Sequence, residues 1–134
     1  MSDARILRPR DWAPPRGYSD GMVASGRYVT LAGQIGWNGA TGEVETDDFA
    51  AQTEQALRNI VTLLTEAGGT PSDLVRLTWF VTSREQYVAA RKAIGAAYRA
   101  IIGNHFPPMS VVVVAGLLEP RAKVEIEATA VLAE

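Results

Sequence analysis

FAAQTEQALRNIVTLLTEAGG, residues 49–69, followed by LVRLTWFV at residues 74–81, is the stretch that decides the fold. In its first part Phe49, Thr53, Ala56, Leu57, Ile60, Leu63, Leu64 and Ala67 recur at helical spacing over about five turns. Asp47 and Asp48 stand where a helix N-terminus favours negative charge, and Gly68-Gly69 provides the stop. The second part is short, apolar and rich in β-branched and aromatic residues, and reads as a strand. A helix delivered directly onto a strand is the unit from which layered α and β folds are built.

Working outward, Ser83-Arg84-Glu85-Gln86 has the form of a capping box. It opens a second helix with Tyr87, Ala90, Ile94, Ala97, Tyr98 and Ile101 on one face, closed by Gly103-Asn104. Two strands follow, Met109 to Ala115 and Lys123 to Val131. Upstream, Met22–Ser25 and Tyr28–Leu31 flank Gly26-Arg27, a spacing that predicts a hairpin with a type II′ turn. Gly33, Gly36, Gly39 and Gly42 mark a twisted strand end and a loop, and Pro9 to Gly17 reads as an extended lead-in. The order β-β-α-β-α-β-β, with hairpins at both ends, predicts an α+β fold: one mixed sheet with both helices on the same face.

The 134 residues are expected to form one domain spanning 1–134. Hydrophobic residues are 47% and charged residues 21%, which excludes a disordered or fibrous chain. No apolar run is long enough for a transmembrane helix, and the N-terminal residues lack the apolar core of a secretory signal. Cysteine is absent, which removes disulfides and thiolate chemistry and fits a cytoplasmic protein. Among 13 basic residues only Lys92 and Lys123 are lysines, the rest being arginine, a bias that GC-rich coding explains without function. The pI is near 5.4 and the arginines are scattered along the chain, so neither nucleic acid nor a membrane is expected as a partner.

On the last strand Val124, Ile126, Ala128 and Ala130 point one way, towards the helices. Lys123, Glu125, Glu127, Thr129 and Val131 point the other way, onto a face for which the chain has no third layer. Cover by other copies of the chain is the expected solution. Glu125 and Glu127 share that face at roughly 7 Å. Burial and a like-charged neighbour raise a carboxyl pKa, which turns a glutamate into a general acid or base. The ordinary alternative is a pair of solvated carboxylates. Tyr18, between glycine and serine, either closes a pocket or decorates a loop. His105 is the only histidine, which argues against a zinc site or a serine triad and for a loop role. The glycines at 33–42 match no phosphate-binding pattern, so no nucleotide cofactor is expected.

Taken in order, Arg16-Gly17-Tyr18-Ser19, Leu31-Ala32-Gly33-Gln34-Ile35, Thr41-Gly42-Glu43-Val44, Phe106-Pro107-Pro108-Met109-Ser110 and Val124-Glu125-Ile126-Glu127-Ala128 resemble the Rid (reactive intermediate deaminase, YjgF) family from about Gly17 to Val131. The resemblance implies a chorismate-mutase-like fold, a homotrimer with a central barrel, and small-molecule clefts between subunits. It also implies cofactor-free hydrolysis of imines or enamines to a keto acid and ammonia. Glu125 matches the water-activating glutamate and Tyr18 the assisting tyrosine. Met109, Ala32, Gly33 and Ser110 stand at the substrate-binding positions. Two of these depart from the pattern: Ala32 replaces a serine, and Met109 replaces the arginine that holds the substrate carboxylate. Losing that two-pronged contact costs on the order of 2–5 kcal/mol of binding. A neutral or differently anchored ligand is expected, with Arg16 or Arg121 as substitute cations; the alternative is a non-catalytic binding trimer.

Overall fold

The computed structural model describes residues 3–134. Its main sheet has four strands in the order β3-β8-β6-β7, drawn from β3 (Arg27–Gln34), β6 (Leu74–Val81), β7 (Met109–Val113) and β8 (Val124–Leu132). Two short ribbons accompany it: β1 (Arg5–Leu7) with β2 (Gly21–Val23), and β4 (Trp37–Asn38) with β5 (Glu43–Val44). The helices are α1 (Phe49–Glu66), α2 (Arg84–Ala89) and α3 (Arg91–Ile101), with a 3-10 turn at Pro71–Asp73.

The helix α1 begins and ends where the sequence places it. The Asp48 carboxylate caps it by accepting from the Ala51 N–H at 2.9 Å, and Gly68 ends it at φ +84°. Leu57, Ile60 and Leu64 are fully buried against the sheet, each burial stabilising by roughly 1.5–3 kcal/mol. The second predicted helix is two: Ala90, at φ −95° and ψ 2°, is both the C-cap of α2 and the N-cap of α3. Its N–H is shared between the carbonyls of Gln86 and Tyr87, the tightened geometry of a helix end. Ile94, Tyr98 and Ile102 of the second part join the core beside Leu77, Trp79 and Val81.

Both predicted hairpins are replaced by long-range pairing. β2 pairs with β1, not β3, and β3 runs antiparallel to β8 from Arg27↔Leu132. Gly26 is therefore no hairpin turn: at φ +143° it approaches the Leu132 carbonyl so closely that an added Cβ would lie 2.0 Å from that oxygen. At the other end β6 inserts between β7 and β8, parallel to the former and antiparallel to the latter. β7 and β8 are joined by an arm instead of a tight turn, and β7 is left as an edge strand.

Candidate functional site

Register decides which side chains can meet. Leu77↔Met109 and Leu77↔Ala128 place Met109 on the helix side of the sheet. Phe80↔Glu125 and Thr78↔Ser110 place Glu125 and Ser110 on the opposite side. Within one chain the expected site residues thus fall into two groups.

The first group forms around Tyr18. Gly17 turns the chain at φ +75°, and buried Ser19 fastens the loop. Its N–H donates to the Pro107 carbonyl at 3.3 Å and its hydroxyl to the Phe106 carbonyl. Tyr18 is thereby held beside Met109. Together they border a cleft of about 630 Å³ whose other walls are Arg16, Phe106 and the outer face of α3. Tyr98 stacks on Phe106 at 5.4 Å between centroids and donates its hydroxyl to the His105 carbonyl at 2.6 Å. Burial pushes the Tyr98 phenol well above its ordinary pKa, so it stays protonated as a fixed donor. His105 is occupied structurally, with Nε2 at 2.8 Å from the Leu74 carbonyl.

The second group forms on β3 and β8. Between the pairs Leu31↔Ala128 and Gln34↔Ile126 the strand β3 carries two residues where β8 carries one. That bulge sets Ala32 and Gly33 opposite Glu127. The Glu125 side chain folds over Gly33 so closely that an added Cβ would lie 2.3 Å from Oε2. Among the described residues, no hydrogen bond or ion pair engages that half-buried carboxylate.

The segment entering β8 is fixed by Gln52 of α1, a fully buried polar side chain with no signature in the sequence pattern. Its Nε2 donates to the carbonyls of Thr46 at 2.8 Å and Arg121 at 3.0 Å, and its Oε1 accepts from the Lys123 N–H at 2.8 Å. Gly36 makes room, since a Cβ there would lie 2.6 Å from the Gln52 Cα.

Of the two arginines expected to substitute for the missing anchor, Arg16 lines the Tyr18–Met109 cleft. Arg121 is committed elsewhere: Nη2 pairs with Asp47 at 3.1 Å and Nη1 donates to the Val44 carbonyl. The sequence reading overlooked Arg91 and Arg99 on α3, which line the same cleft as Arg16.

The model of the endoribonuclease L-PSP family matches residues 10–132. The chain belongs to the Rid family. It is 38% identical over 112 residues to the 2-iminobutanoate/2-iminopropanoate deaminase of Escherichia coli K12, covering 81% of this chain and 83% of that one. It is 37% identical over 109 residues to a RutC family protein of Haemophilus influenzae, covering 81% and 82%. Among solved structures, the Rid family protein YyfB of Yersinia pestis, a protein of unknown function, superposes with a TM-score of 0.84 at 37% identity, over 97% of this chain and 99% of that one. The mixed sheet and helices described above are thus those of a Rid protein.

Proposed function

We propose that this Rid protein is a small-molecule hydrolase that cleaves a C–N bond of an imine, enamine or amide-type metabolite in a cleft between two copies of the chain. The observation that carries the reading is the carboxylate of Glu125, folded over Gly33 and engaged by no hydrogen bond or ion pair among the described residues. A carboxylate so held can take a proton from water as the oxygen attacks an imine carbon, then return it to the nitrogen. The tetrahedral adduct carries one hydroxyl and one amino group. Its collapse forms the carbonyl and releases ammonia, with no net change of oxidation state. Tyr18 is the assisting hydroxyl. The name of the E. coli deaminase points to the same reaction class.

Tyr18 and Met109 lie across the sheet from Glu125 and Gly33, so one chain does not unite them. A homotrimer of the chorismate-mutase-like kind, with open faces turned into a central barrel, would bring one copy's carboxylate to the next copy's Tyr18 cleft. The exposed valines of the β7 edge, Val111, Val112 and Val113, are in keeping with such burial. The reaction draws on no cofactor, because the imine carbon is already electrophilic. Freedom from cysteine accords with work in the cytoplasm.

Met109 supplies no charge, so the standard 2-imino acid is not the expected substrate. The test is turnover by the purified protein of freshly generated 2-aminoacrylate and of a panel of larger imines, enamines and cyclic amides. Turnover of a panel member, reduced at least about 100-fold in Glu125→Gln with assembly unchanged, is the expected result. Saturable binding of panel members without turnover would replace this reading by a non-catalytic binding trimer. Met109→Arg is expected to add activity on 2-aminoacrylate.

A further inference from the structure

The cleft beside Met109 contains an arrangement of charge that the family comparison does not account for. Arg91, Gly95 and Arg99 lie at i, i+4 and i+8 of α3 and share the face that lines it. Arg16 lines it as well. No aspartate or glutamate is among the lining residues, in a chain where acidic residues outnumber basic ones 15 to 13. The ion pairs of the described residues, Arg58–Glu54 and Arg121–Asp47, use other arginines.

Two details indicate that the guanidinium groups are placed. Arg91 sits over the ring of Tyr87 with Cζ 5.9 Å from the centroid, an attraction that orients the fork and leaves its edge free. Arg99 folds back along the helix onto Gly95, where an added Cβ would stand 3.4 Å from Nη1 and 3.8 Å from Nη2. Glycine within a helix is unfavourable relative to alanine, and here it opens the surface on which the guanidinium lies. Behind the arginines the floor is apolar, made by Met109, Ile94, Phe106 and Val111.

We propose that this cleft binds a carboxylate with a bulky apolar or aromatic side chain, its anionic end held by Arg91, Arg99 and Arg16 at the α3 wall and its apolar end packed on Met109. The anchor is thus moved from the strand to the helix, and the ligand lies reversed relative to one held at position 109. A volume of about 630 Å³ accommodates such a molecule. The inference rests on the cleft assigned above as the substrate site, but not on Glu125 chemistry.

The test is calorimetric titration of the assembled protein with phenylpyruvate, its uncharged methyl ester and pyruvate. Phenylpyruvate is expected to bind at least about tenfold more tightly than either, and more weakly as salt rises. Arg91→Ala and Arg99→Ala are each expected to cost about tenfold, with Arg99→Lys recovering part, and Gly95→Leu to weaken binding by crowding Arg99. Equal affinity for acid and ester, or undiminished affinity in the Arg16/Arg91/Arg99 triple alanine variant, would overturn the inference. So would loss of assembly in the arginine variants with binding retained, because the arginines would then serve acids of a second copy. If arginine-dependent binding is found but no C–N bond is cleaved, the hydrolase reading fails and this inference stands; turnover without arginine dependence is the reverse.

Discussion

On the helix side of the sheet Leu77, Trp79, Val81, Ile126 and Ala128 are buried against α1 and α3. On the other side Thr78, Phe80, Glu125 and Glu127 meet no second layer among the described residues, and the β1–β2 ribbon borders the far end near Thr129 and Val131. One face is filled by closely packed apolar side chains; the other carries polar and partly exposed groups. The stability cost of a substitution is therefore expected to depend on the face on which the residue lies.

The largest effect on folding is expected within the filled face. Ile60→Ala should lower unfolding free energy by about 2–5 kcal/mol in urea titrations, and a loss below about 1 kcal/mol would mean that α1 is not packed as described. Gly36→Ala tests the junction between the faces, because its methyl group would collide with the Gln52 backbone. A loss of about 1–3 kcal/mol is expected, with reduced turnover as the entry to β8 shifts. Arg121→Ala, which removes the exposed pair with Asp47 and the hydrogen bond to the Val44 carbonyl, should cost about 1–2 kcal/mol and leave ligand binding unchanged. Val112→Asp should change the folding of the isolated protomer least, within about 0.5 kcal/mol. It should nonetheless reduce self-association in sedimentation and remove any dependence of Tm on protein concentration.

The same division governs what could be read from the chain. The period of α1, its Asp48 start and Gly68 stop, and the bounds of β6 are local properties, and the sequence displays them. The alternation on β8 likewise separates Ile126 from Glu125 correctly. Pairing partners are not local. The β2–β3 and β7–β8 hairpins are plausible by spacing, but Leu31↔Ala128 and Leu77↔Met109 join residues distant in the chain, and burial of the common core decides between them. β1 is too short to announce itself. In the candidate site, Glu125, Tyr18 and Met109 were singled out through family resemblance. Arg91 and Arg99 look scattered in one dimension, although their spacing of eight on a helix was sufficient to place them on one face. Ser19 and Gln52 work through hydrogen bonds to main chain far away, for which no pattern exists.

The central position of β8 has a consequence for how the protein is made. The strand that β3 and β6 both require, Val124–Leu132, is synthesised after both of them. At about 5–20 residues per second, the stretch from Val29 to its partner Ala130 takes roughly 5–20 s to translate. Throughout that interval β3 and β6 have no common neighbour, and the sheet cannot close progressively from the N-terminus. Closure of the sheet is therefore expected to await the synthesis of β8, and a nascent chain stalled before β8 should remain open to proteases and chaperones even though α1 is already made.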